Sequence, residues 1–197
     1  MEGTALLCQK VFCSNPAVLQ GGGDDDAEHQ CECAALSDGE ECDVQCVYET
    51  PEDKVVRVVW AVRDRFGGIL QKEETELSVP TLSSVWMEKR ELPDMKIREE
   101  YISYDLFEDD RWVSGSTVIL TLPRFFRYED PQLTVESGDG EVIVRAKAYA
   151  KSVEIRNRNE NLVLEDNYFD MNAGERRVKM ICGEREELMA RSVFDIR

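Results

Sequence analysis

Cysteine, histidine and the carboxylates are the residue types in this chain that could carry chemistry. Six of the seven cysteines, at positions 8, 13, 31, 33, 42 and 46, fall before residue 50. Thiols crowded in this way can cross-link a chain or hold a soft metal ion. Their spacing fits neither use closely. Cys31-x-Cys33 and Cys42-x3-Cys46 are not the paired C-x2-C of a zinc ribbon, and even spacing within a strand only places two thiols on one face. A two-residue hairpin turn at Asp38-Gly39 would set Cys31 opposite Cys46, near enough for a bridge in an oxidising compartment. The odd total favours reduced thiols acting as small apolar side chains, with one disulfide or a metal as the alternatives.

His29 is the single histidine, and no strand–turn–helix nucleophile elbow surrounds it, so neither a Ser-His-Asp nor a Cys-His machine is legible. With 41 acidic residues many carboxylate pairs must lie close by chance, so proximity alone identifies no acid/base pair. Neither phosphate-binding glycine motif occurs, and no cofactor is expected. The run Gly21-Gly22-Gly23-Asp24-Asp25-Asp26 reads as a solvated loop. No catalytic, cofactor-binding or metal-binding residue is assigned.

Charge narrows the partners. Lys and Arg number 24 against 41 Asp and Glu, a net charge of −17, which repels phosphate backbones and anionic headgroups. Nucleic acid and membrane are therefore not expected partners. No apolar run approaches membrane-spanning length, and the N-terminal stretch has neither a basic front nor a signal-type apolar block. A soluble chain, placed in the cytoplasm, is the expectation; a segment cut from a longer chain would also show no signal.

The elements that must position any site come mostly from a period of two. Leu7 and Val11 within residues 4–13 fit a short N-terminal helix. Beyond Gln30 apolar residues alternate with polar ones at Cys42-Val44-Cys46-Tyr48, Val56-Val58-Trp60-Val62, Val118-Leu120-Leu122, Val142-Val144-Ala146-Ala148, Val178-Met180-Cys182 and Leu188-Ala190-Ser192-Phe194-Ile196. Turn-forming clusters separate them, including Gly67-Gly68 and Ser137-Gly138-Asp139-Gly140. Short strands at this spacing, with no long helices between, predict an all-β protein of two consecutive antiparallel immunoglobulin-like sandwiches. The expected division is a short helix and acidic loop over 1–28, a first sandwich over 29–124 and a smaller second sandwich over 125–197. The aromatic, proline-bracketed stretch Pro123-Arg124-Phe125-Phe126-Arg127-Tyr128-Glu129-Asp130-Pro131 forms a packed joint between them.

Trp60 follows Cys46 by fourteen residues, the interval from first cysteine to core tryptophan in immunoglobulin sandwiches. Where the second cysteine should stand the chain reads Tyr104-Asp105-Leu106, so Tyr104 is read as a tyrosine corner and packing replaces the disulfide. Cys46, Trp60, Tyr104 and Leu106 are the core candidates.

One segment is more specific. Asp166-Asn167-Tyr168-Phe169-Asp170-Met171-Asn172-Ala173-Gly174-Glu175 resembles the D-N-Y-F-D-hydrophobic-x-x-G-E signature in the last immunoglobulin-like domain of β-mannosidases and related family 2 glycoside hydrolases. Trp60-Ala61-Val62-Arg63-Asp64 with Gly67, and Val79-Pro80-x-Leu82-Ser83-Ser84, are similar to the preceding sandwich of those enzymes. Met171-Asn172-Ala173 departs from the two leucines and proline more usual there. The resemblance implies a noncatalytic C-terminal region of an exoglycosidase that removes terminal β-linked mannose, packed against an upstream (β/α)8 barrel that holds the two catalytic glutamates. Such a barrel needs about 250 residues, and this chain alone should be inactive. Beside the resemblance, the residues themselves read as architecture. Asp166 and Asn167 are turn formers, Tyr168 and Phe169 cover one end of the small sandwich, and Gly174 supplies a positive φ before the strand carrying Glu175. The competing reading is a stand-alone carbohydrate-binding or adhesion module, with β-mannoside glycans as candidate partners. An apolar patch around Val11, Phe12, Phe125 and Phe126 would instead favour docking to a missing domain.

Overall fold

A computed structural model describes residues 7–13, 41–48, 53–81, 84–87, 90–92 and 94–196, the first two segments by their backbone. The chain is all-β, two antiparallel sandwiches in succession. Where a helix was expected, Leu7–Cys13 is a strand, β1, paired antiparallel along its whole length with β2, Glu41–Tyr48. The physical reason is that so few residues cannot meet the cost of helix nucleation, whereas an edge ladder satisfies their backbone directly.

The first sandwich sets β1 and β2, with the short β5 (Ser84–Trp86) and β6 (Arg90–Glu91), against a four-stranded sheet. That sheet runs β4-β3-β7-β8, from β3 (Lys54–Asp64), β4 (Ile69–Val79), β7 (Glu100–Glu108) and β8 (Arg111–Val118). Alternation is the cause of the core. Val56, Val58, Trp60 and Val62 of β3 point inward with Ile102, Tyr104 and Leu106 of β7, and Val85 and Met87 close the other side. Trp60 stands directly opposite Tyr104, so Tyr104 lies mid-strand in the core and not at the strand start that a corner tyrosine would occupy. Cys46 pairs with Gln9 and Val85 in the facing sheet. The proposed Cys31–Cys46 bridge involves a residue outside those described. β7 and β8 join through Asp109 and Asp110, both at positive φ (47° and 63°), the tight turn whose twist suits a hairpin.

The second sandwich packs the sheet β12-β14-β10-β9 on the sheet β13-β11-β15. Its strands are β9 (Thr134–Gly138), β10 (Glu141–Ala146), β11 (Ala150–Arg156), β12 (Val163–Leu164), β13 (Phe169–Met171), β14 (Gly174–Cys182) and β15 (Met189–Arg191). Val142, Val144, Val153, Ile155, Phe169, Met171 and Val178 fill the space between. The alternation at 188–196 continues as a strand only to Arg191; Val193–Ile196 is a 3-10 turn, where Ser192 N–H and Oγ–H both donate to Asp195. No helix among the described residues is long and apolar enough to cross a membrane.

A third cluster lies between the two cores: Tyr101, Ile119, Phe126, Tyr128 and Tyr149, flanked by Val193 and Phe194. Phe126 is buried here, while its neighbour Phe125 faces solvent. The pair therefore does not form the exposed apolar patch that would have favoured docking to a missing domain. Val11 and Phe12 lie on β1, whose side chains are outside the description.

Candidate functional site

The segment 166–175 is where local sequence, packing and inter-sandwich contact converge. Asn167 starts it by imitating a strand. Its Oδ1 accepts from the Ile155 N–H at 2.8 Å and its Nδ2 donates to the Ile155 carbonyl at 2.9 Å, so one side chain completes the β11 ladder where no backbone neighbour is available. That geometry carries Tyr168 to φ 62° and turns it out of the core. It is 63% exposed, contrary to the expected covering role, and its hydroxyl donates to Glu154 at 2.8 Å. Arg191 also bonds Glu154. The Arg191 and Tyr168 donors hold the Glu154 carboxyl below its ordinary value, and the same bond to Glu154 raises the Tyr168 phenol.

Phe169 turns inward into the second core, and the Arg176 guanidinium lies 4.0 Å above its ring. Arg176 also bonds Asp166 at 2.5 Å and the Asp170 carbonyl. Desolvation in this position lowers the Arg176 guanidinium from its ordinary value. Glu175 is a surface partner of Arg145 and Arg177, and Gly174 has φ 138° at the start of β14.

Asp170 is the hub. Its Oδ1 accepts from the Ser152 N–H at 2.8 Å, and its Oδ2 accepts from Lys151 at 2.9 Å and from the Thr117 hydroxyl at 2.6 Å. Thr117 belongs to β8 of the first sandwich, so this carboxylate ties the two units together. Thr117, having given its proton to Asp170, accepts from the Tyr149 hydroxyl at 2.6 Å. Tyr149 stacks on Tyr101 of β7 with ring centroids 3.9 Å apart. Tyr101 in turn donates to Asn172 Oδ1 at 2.8 Å, and the Tyr149 N–H donates to the Arg65 carbonyl at 3.2 Å. Burial pushes both phenols well above their ordinary value.

Shape completes the joint. Asp64 Oδ1 accepts from the N–H groups of Phe66 and Gly68, folding the β3–β4 turn so that Gly67, at φ 90°, abuts the turn between β13 and β14. A Cβ on Gly67 would stand 2.8 Å from the Ala173 Cβ. Residues 171–173, where the chain departs from the resembled signature, all have work here. Met171 fills the core, Asn172 takes the Tyr101 hydroxyl and Ala173 meets Gly67. The sequence reading missed Tyr101, Thr117, Tyr149, Lys151 and Asn172. One signal was available for Tyr101: Glu100-Tyr101-Ile102-Ser103-Tyr104 places a large aromatic on the outward phase of a strand.

Residues 128–195 match the family Ig_mannosidase, an Ig-fold domain. That span covers the second sandwich, which is thus similar to the Ig-fold domain of the mannosidase type. Solved structures extend the likeness of fold over both units. The β-D-mannosidase of Dictyoglomus thermophilum superposes with a TM-score of 0.64 at 17% identity, over 93% of this chain and 21% of that one. The exo-chitosanase of Amycolatopsis orientalis superposes with a TM-score of 0.55 at 11% identity, over 76% of this chain and 25% of that one. The chain thus spans about a fifth to a quarter of the length of these two proteins. None of the curated proteins compared matches it in sequence. The matched span contains the whole 166–175 segment, and its partners across the joint come from the sandwich before it.

Proposed function

We propose that the two sandwiches are the noncatalytic C-terminal region of a β-mannosidase-like exoglycosidase of glycoside hydrolase family 2. The parent protein would hydrolyse terminal β-D-mannose residues, and this region would pack against and support its catalytic (β/α)8 barrel. The match of residues 128–195 to the mannosidase-type Ig-fold domain carries the reading. On it, the units divide near residue 125. Asp166, Asn167, Tyr168, Phe169, Asp170, Gly174 and Glu175 serve as architecture, holding the last domain in a fixed orientation on its neighbour. The described residues support this role, because the polar groups of Asn167 and Asp170 are engaged by the protein itself. A cytoplasmic setting belongs to the same proposal and requires reduced thiols. Titration of the denatured chain without reductant should then approach seven thiols, whereas a value near five would indicate one disulfide.

Hydrolysis of a chromogenic β-mannoside tests the proposal. The 197-residue chain should be inactive, and the polypeptide extended upstream through a barrel should turn the substrate over. Turnover by the 197 residues alone would overturn the noncatalytic reading. An extended polypeptide that cleaves only another β-glycoside would overturn the substrate.

A further inference from the structure

Beside the joint lies an open groove of about 810 Å³, within the size range of small-ligand sites. One wall is the outer face of the first sandwich, with Asp105, Trp112 and Gly115; the other is the second sandwich, with Glu165 just after β12 and Arg177 and Lys179 on β14. We propose that this groove binds a neutral oligosaccharide of hexopyranoses, with the Trp112 indole as its stacking platform. The inference goes beyond the proposed function and does not depend on it.

Trp112 carries the argument. It is 48% exposed, and an indole left half in water is an apolar surface in want of a cover. Its orientation is nevertheless fixed. The indole N–H donates to Asp105 Oδ1 at 2.8 Å, and that placement depends on a glycine beneath. A Cβ on Gly115 would lie 2.4 Å from Asp105 Oδ1, 2.8 Å from the Tyr104 carbonyl oxygen and 3.2 Å from the Trp112 nitrogen. With its N–H engaged, the indole offers a ligand only its flat π face. The electron-rich face of an aromatic ring attracts the polarised C–H bonds on the apolar side of a pyranose.

The remaining groups suit hydroxyls. Glu165 and Lys179 line the groove with no side-chain partner among the described residues, which leaves an acceptor and a donor for a polyol. A polyanion would face Glu165, Asp166 and Glu175 on a chain of net charge −17, so sulfated or phosphorylated chains are disfavoured. The mixed wall gives a cationic ligand no advantage either, since Arg63, Arg176 and Arg177 stand on it.

Nuclear magnetic resonance titration of the isotope-labelled chain tests this. Mannotriose and cellotriose are added separately, and a sulfated heparin tetrasaccharide serves as the anionic comparator. The expected result is a saturable shift of the Trp112 indole N–H signal and of the Gly115 and Lys179 amides with at least one neutral sugar, in the millimolar range or tighter. Trp112→Ala should weaken binding about tenfold or more, and Trp112→Phe should retain part of it. Asp105→Ala, which frees the indole without removing it, should fall between wild type and Trp112→Ala. No shift at Trp112 with either neutral sugar, undiminished binding in Trp112→Ala, or tighter binding of the sulfated chain would each overturn the proposal. Because the readout is binding and not hydrolysis, failure here leaves the proposed function standing.

Discussion

Replacing Asp170 by alanine removes one carboxylate and strands three donors. The Asp170 side chain is 9% exposed and that of Lys151 is 21% exposed, so the three donors are not equally costly to strand. The half-buried Ser152 N–H loses the acceptor it has in Asp170 Oδ1, and a donor left unpaired away from water costs about 1–3 kcal/mol. Thr117 keeps its bond from Tyr149 but loses its own acceptor, which adds about 1 kcal/mol. Lys151 can turn toward water, so its share is discounted to about 1 kcal/mol or less. The expected loss is about 2–5 kcal/mol, against a total of roughly 3–10 kcal/mol for a domain of this size at the usual per-residue stability. Asp170→Asn keeps an oxygen for the Ser152 N–H and should cost clearly less. Urea unfolding gives the totals, and amide exchange resolved by segment places the loss in residues 132–196 and at the joint. If Asp170→Ala stays within about 0.5 kcal/mol of wild type, as an ordinary surface substitution would, Asp170 is not the hub of the joint.

Phe169→Ala should cost roughly 3–5 kcal/mol through lost burial and a residual cavity. It should release protection across 132–196 while the Trp60 core keeps its own; unchanged protection combined with loss of glycan binding would make the 166–175 segment a ligand site. Gly67→Ala should cost about 1–3 kcal/mol from its positive φ and the approach to Ala173, and Ala173→Gly should recover part of that in a double-mutant cycle; additivity would show that the two turns do not press on each other. Burial raises the Tyr101 and Tyr149 phenols above their ordinary value of 10.0. Their stabilising contribution is therefore complete below about pH 10 and is lost as the pH climbs beyond it. Alkaline titration by tyrosinate absorbance should show these two ionising together with unfolding, whereas smooth ionisation in the folded protein would contradict their burial.

The sandwiches were legible because a half-buried strand writes its burial into a period of two. Val56-Val58-Trp60-Val62 and Val142-Val144 could be assigned to inward faces before any coordinates. β13 and β15 were harder, since three residues carry too little alternation to separate a strand from a turn. β1 was misread as a helix because Leu7 and Val11 satisfy a helical spacing and a strand face is equally open to them; the partner strand decided it. The segment 166–175 was recognisable as a unit, yet the individual roles were not. Tyr168 and Phe169 are adjacent aromatics of similar apolar content, and only the backbone geometry set by Asn167 sends one into solvent and the other into the core. The joint itself is a relation between residues distant in sequence, such as Thr117 with Tyr149 and Asp170, and no local pattern encodes it.

Residual dipolar couplings measured on the 197-residue chain test most directly whether the joint holds both sandwiches as one body. A single alignment tensor should fit amide couplings from β3, β7 and β8 together with those from β10, β11 and β14, and Asp170→Ala should degrade that fit. Two tensors of different magnitude in the wild-type chain would mean that the sandwiches reorient independently, and that the contacts through Thr117, Tyr149 and Asn172 do not fix the last domain on its neighbour.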